Sequence, residues 1–146
     1  MKIKKHLSFL LLSAALLIPV LSFSQDRAVM LKNLPEKAQN FISKHFKGLT
    51  TSREKTDKEG YVTYETHLIQ NGNDLNIIFD AQGNWRQIDC PAGIPSDMVP
   101  KRIAHHILAN YNGKDITRIN QKTNSYDILL SNGTKLEFDS FGDILK

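Results

Sequence analysis

Leu34-Pro35-Glu36-Lys37-Ala38-Gln39-Asn40-Phe41-Ile42 is answered 65 residues later by Val99-Pro100-Lys101-Arg102-Ile103-Ala104-His105-His106-Ile107. His45-Phe46 and Asn110-Tyr111 keep that offset. Tyr64-Glu65 then matches Tyr126-Asp127 at 62, and Asn71-Gly72 matches Asn132-Gly133 at 61. Phe79-Asp80 with Gly83 matches Phe138-Asp139 with Gly142 at 59. An ordered set of matches whose spacing shrinks only in loops describes one unit written twice, and such self-similarity constrains architecture before any other feature. A unit of about 60 residues is marginal alone. The two are therefore expected to form a single sheet or two closely packed lobes.

Each unit opens with a helix. Pro35 and Pro100 suit a first helical turn, where a missing N–H costs nothing. Leu34, Ala38, Phe41, Ile42, His45 and Phe46 recur at helical spacing, as do Val99, Ile103, Ile107 and Tyr111. Gly48 and Asn112-Gly113 end these segments. Strands follow. Val62, Tyr64, Thr66 and Leu68 alternate with Tyr61, Thr63, Glu65 and His67, and Tyr126, Ile128 and Leu130 alternate with Asp127, Leu129 and Ser131. Asn71-Gly72 and Asn132-Gly133 supply positive φ angles for tight hairpins. Return strands carry Leu75, Ile77 and Phe79, or Leu136 and Phe138. Residues 85–88 add a third strand, and residues 50–57 and 114–121 add one before each hairpin. The expected fold is α+β: tandem α-β-β-β repeats, six to eight antiparallel strands, helices on one face and the other face bare.

The N-terminus has a different purpose. Lys2, Lys4 and Lys5 precede an apolar run over residues 7–20, and Ser22 and Ser24 place small side chains three and one before Gln25. This is the pattern of a secretory signal peptide cleaved near Ser24/Gln25. The run falls short of the roughly 20 residues that span a bilayer. The expected organisation is a signal at 1–24, one repeat at 25–90 and a second at 91–146. Removing residues 1–24 takes three lysines and no acid, so the net charge falls from +4 to +1. The remaining Lys and Arg are interleaved with Asp and Glu, which excludes a nucleic-acid reading. The mature chain is expected in the periplasm or outside the cell, with no membrane contact after cleavage. One cysteine excludes an intramolecular disulfide. Cys90 is read as a small buried residue at a strand end, the alternative being an intermolecular disulfide.

The pattern Leu-Pro-x-x-Ala-x-x-Phe-Ile, then Tyr-Glu, Asn-Gly, Phe-Asp-x-x-Gly-Asn-Trp and Asp-Cys, with the helix motif repeated, resembles the PepSY-like, beta-lactamase-inhibitor-like secreted proteins of Bacteroidetes. The resemblance spans roughly residues 33–146. It implies a secreted fold of this type. PepSY domains elsewhere occur in peptidase propeptides, so it also implies an inhibitory or chaperoning role. It brings no catalytic residues with it.

The residues themselves offer little chemistry. His105 and His106 are adjacent, so on a helix they point about 100° apart and cannot chelate one ion as an i, i+4 pair does. Asp74, Asn76 and Asp80 lack the spacing and terminal Glu of a calcium loop. Asp80 and Asp139, each three before a Gly, read as turn residues. Glu54, Asp57 and Glu59 sit in a polar loop with nothing to pair them across a cleft. No phosphate loop, GxSxG or HExxH occurs, and no cofactor or metal is expected.

The bare sheet face is the remaining candidate. By parity it carries Tyr61, Glu65, His67, Ile78 and Leu129, with Trp85 and Arg86 at its edge and one of those two pointing outward. A contiguous patch of aromatic, aliphatic and charged groups is a binding surface. The expected function is a secreted, non-enzymatic protein-binding module, an inhibitor or modulator of an envelope or extracellular hydrolase or peptidase. The alternative is a structural envelope protein that uses the same face as a homodimer seam.

Overall fold

The computed structural model describes residues 25–28, 31–46 and 51–146. The apolar run at 7–20, the cleavage position and Gly48 lie outside the described residues.

The chain forms one antiparallel sheet of eight strands in sequential order. β1 (Gln25–Ala28) is followed by a 3-10 turn (Leu31–Asn33), helix α1 (Glu36–His45), then β2 (Thr51–Thr56), β3 (Val62–Gln70), β4 (Asn73–Asp80) and β5 (Trp85–Asp89). A second 3-10 turn (Ser96–Met98) leads into helix α2 (Lys101–Asn110), then β6 (Ile116–Gln121), β7 (Ser125–Leu130) and β8 (Lys135–Asp139). Each helix is therefore inserted in the connection between two strands that pair directly, β1 with β2 and β5 with β6.

Strand parity decides which way each side chain faces. Leu68, Leu75, Ile77, Phe79, Ile88, Ile119, Ile128, Leu130, Leu136 and Phe138 are buried. They are linked across the sheet by pairs such as Leu68–Leu75, Ile77–Ile88, Ile119–Ile128 and Ile128–Leu136. Ala38 and Ile42 of α1 and Ile103 and Ile107 of α2 belong to the same buried cluster. One core thus lies on one side of the sheet, beneath both helices. Cys90, immediately after β5, is 4% exposed, in keeping with a small apolar residue at a strand end.

The same contacts occur at both helices. The edge of Phe79 meets Phe41 of α1 at 5.9 Å between centroids, and that of Phe138 meets His106 of α2 at 5.2 Å. After β4, Asp80 Oδ1 accepts the backbone N–H groups of Gln82 and Asn84. After β8, Asp139 Oδ1 accepts those of Phe141 and Asp143. Lys37 of α1 reaches Asn84, and Arg102 of α2 reaches Asp143. Both aspartates act as turn acceptors, as their spacing indicates. Asp57 does the same for Glu59 and Tyr61 between β2 and β3, a use of Asp-x-x-Gly that the sequence reading passed over as a polar loop.

The two Asn-Gly hairpins differ from each other. Asn71 and Gly72 form a two-residue connection with φ of 51° and 78°. At the other, only Gly133 has positive φ; the bonds Gly133 N–H to Leu130 O and Leu130 N–H to Thr134 O close a three-residue loop. The extra residue removes the need for Asn132 to turn left-handed.

Acid titration reports on the Asp80 turn. Burial pushes its carboxyl up, but hydrogen bonds from the Asn84 backbone and side chain, and the Arg86 hydrogen bond and charge, outweigh that and leave it below its ordinary value of 3.8. A carboxyl depressed on folding adds stability that is present above its unfolded pKa and disappears as pH falls through the folded one. Urea midpoints of the wild type should therefore fall as pH drops below about 4, and Asp80→Asn should flatten part of that fall. A variant with an unchanged acid profile would remove Asp80 as a contributor.

Candidate functional site

The side of the sheet away from the helices has no helix packed on it among the described residues. Its side chains form transverse rows set by register. One row runs Arg53, Glu65, Ile78, Gln87, Asn120, Asp127, Glu137. The next runs His67, Asn76, Asp89, Arg118, Leu129, Lys135. A shorter row carries Lys55, Thr63 and Asp80.

The rows are knitted by opposite charges on neighbouring strands. Lys55 and Glu65 meet at 2.7 Å, Arg86 and Asp80 at 2.7 Å, and Lys122 and Asp127 at 2.7 Å, while the His67 ring hydrogen-bonds Asp74 at 3.0 Å. Asp89 takes both Arg118 and Gln87. Lys146 lies 2.7 Å from Glu137. Its hydrogen bond and then its charge hold the Glu137 carboxyl below the ordinary range, and Glu137 raises the Lys146 ammonium in return.

This arrangement corrects the expected patch in two respects. Trp85 does not face outward. A bulge between Ile78 and Phe79 places Trp85 opposite Phe79, on the helix side, where it packs on the core 6.3 Å from the Tyr126 ring. Arg86 is the residue that turns to the open face, where it joins Asp80. The second correction concerns contiguity. Ile78 and Leu129 are half-buried, lie in different rows and stand three strands apart, roughly 14 Å at the usual strand spacing. Charged and amide groups fill the space between them. The open face is a polar lattice with isolated apolar points, not an apolar patch.

Glu65 and His67 lie on the face, Glu65 paired with Lys55 and His67 hydrogen-bonded to Asp74. Tyr61 sits in the turn before β3, 68% exposed, held by Asp57. Sequence reasoning missed Arg118, Lys122, Lys135 and Lys146, because their separation along the chain hides that register gathers them on β6–β8. It also missed exposed Phe141 and Leu145 beyond β8.

Among the described residues, no group of three or more His, Cys, Asp or Glu side chains is placed to hold a metal ion. His105 is exposed, while His106 is half-buried against Phe138. His45 Nδ1–H donates to Asp97 Oδ2 at 3.1 Å, a link between α1 and the turn leading to α2.

A family model described as "Putative beta-lactamase-inhibitor-like, PepSY-like" matches residues 62–146. The chain belongs to this family. Its matched part begins at β3 and takes in the whole second helix and everything after it. Solved structures extend the likeness. A Bacteroides thetaiotaomicron protein described as a "putative calcium-regulated periplasmic protein" is 30% identical with a TM-score of 0.74, covering 83% of this chain and 94% of that one. A Bacteroides vulgatus protein described as a "putative periplasmic protein of unknown function" is 30% identical with a TM-score of 0.74, over 84% and 98%. Another B. vulgatus protein, described as a "putative periplasmic protein" of the DUF2874 family, is 27% identical with a TM-score of 0.72, over 84% and 95%. No curated protein matches the chain. Among the described residues, no helix is long and apolar enough to cross a membrane.

Proposed function

We propose that this chain is a secreted, non-enzymatic protein-binding module that docks a partner on the open face of its sheet, and that it inhibits or modulates an envelope or extracellular hydrolase or peptidase. The observation that carries this reading is the one-sided placement of the core. Both helices cover one face, so the other presents two rows of ordered side chains across the sheet. Ion pairs fix those side chains before any partner arrives, which lowers the ordering cost of association. Membership in an inhibitor-like family and the periplasmic descriptions of three structural neighbours support it.

In the same reading residues 1–24 are a signal peptide, and residues 25–90 and 91–146 are two copies of one unit. The repeated Asp turns, the repeated ring contact on each helix and the lysine or arginine clamp at offsets of 65 and 59 support the doubling.

Affinity capture from native envelope extract tests the docking face. The wild type should retain a partner that Ile78→Asp combined with Arg86→Glu loses, while Leu108→Glu on the exposed side of α2 keeps it. Equal capture by all three proteins would remove the open face from the account. A light-scattering mass that doubles with concentration would instead favour self-association.

A further inference from the structure

The open face is not uniform. Over β6–β8 it dips into a groove of about 420 Å³ lined by Arg118, Asn120, Asp127, Leu129, Lys135 and Glu137, among others. A second hollow of about 370 Å³ adjoins it toward β5 and shares Arg118 and Leu129. Leu129 is the apolar point of this row. Register places Arg118 on one side of it and Lys135 on the other.

The charges here are unequally satisfied. Asp127 is held by Lys122, Glu137 by Lys146 and Asp89 by Arg118. Lys135 is exposed and has no ion-pair partner among the described residues. Arg118 meets Asp89 through Nε, its side chain is 49% exposed, and a guanidinium carries further N–H donors on its two terminal nitrogens. The groove therefore combines the exposed Lys135 ammonium, the half-exposed Arg118 guanidinium and one apolar seat between them.

We propose that this groove captures the free C-terminus of a polypeptide whose last residue is apolar. The carboxylate sits between Arg118 and Lys135, and the terminal side chain rests on Leu129. The chemistry favours a chain end over an acidic side chain, because only there do a carboxylate and an apolar group hang from the same carbon. This assignment rests on the open-face reading and names what that face binds.

Fluorescence anisotropy on the purified chain tests it, with an N-terminally labelled pentapeptide ending in leucine. The free acid should bind, and the C-terminal amide of the same peptide should bind at least about tenfold more weakly, as expected for loss of a charge-assisted hydrogen bond. Lys135→Glu, a change at an exposed site, should weaken the acid by a similar factor and leave the amide unaffected. Leu129→Asn should weaken the leucine peptide more than one ending in glycine. Equal binding of acid and amide, or no binding by the wild type at millimolar peptide, would overturn the groove. Partner capture by the wild type that survives Lys135→Glu but not the Ile78→Asp, Arg86→Glu pair would overturn it too, while leaving the open face standing.

Discussion

Phe138→Ala should shift the unfolding of the entire chain, with one common midpoint for Trp85 fluorescence and far-ultraviolet circular dichroism. Phe138 lies on the last strand and is fully buried, with its ring against His106 of α2. Trp85, the single tryptophan, lies on β5 and packs on the same core. Removing a buried phenylalanine side chain costs about 3–5 kcal/mol, against a total of about 5–15 kcal/mol for a typical domain. If the core is shared, the fluorescence of β5 must feel a cavity made at β8. Phe79→Ala, at the equivalent place under α1, should cost a similar amount. A tryptophan transition that keeps its wild-type midpoint while the dichroism splits into two steps would show two independent cores.

Gly83→Ala carries the second large effect, and it arises from shape. Gly83 has φ of 82° and follows the Asp80 turn. A Cβ placed there would lie 2.8 Å from Pro35 Cβ and 2.9 Å from the backbone nitrogen of Ala38. Neither atom belongs to a flexible side chain, so α1 would have to lift from the sheet. Left-handed backbone costs about 1–2 kcal/mol for a residue with a Cβ, and forced overpacking about 1–3 kcal/mol more. Gly133→Ala supplies the control: its φ is 84° but a Cβ there meets nothing within 4 Å, so only the backbone cost of about 1–2 kcal/mol applies. Chemical denaturation should rank Gly83→Ala well below Gly133→Ala in stability. Equal losses would mean that the helix does not press on the turn as described.

The α+β class and the buried stripes were legible in the sequence because apolar residues kept two clear periods, whereas the short strand β1 ahead of the first helix carries no such period. Ala38 and Ile42, or Ile103 and Ile107, mark one helical stripe each, and Leu75, Ile77 and Phe79 mark one strand face. Such patterns fix what is buried. They do not fix what lies beside what on the exposed side, where only register decides. Lys122 and Asp127 are separated by a turn, Asp89 and Arg118 by an entire helix, yet each pair meets on the open face. Parity could place Leu129 and Ile78 on that face but could not show that charged groups fill the strands between them. Trp85 was lost to a different cause. A one-residue bulge reverses the parity of everything before it on β5, and nothing in Asn-Trp-Arg-Gln announces the extra residue. The Asp57 turn was readable from the same Asp-x-x-Gly spacing seen at Asp80 and Asp139, but its acidic neighbours masked it.

An open face exists only because both halves place their apolar side chains on the same side of one continuous sheet. Native-state hydrogen exchange reads that continuity residue by residue. The backbone amides of Ile77, Ile88, Ile119 and Ile128, which cross the sheet from β4 to β7, should exchange with one common opening free energy equal to that of global unfolding. Two distinct free energies, divided between Ile88 and Ile119, would mean that the halves open separately and that the shared surface is not a single platform.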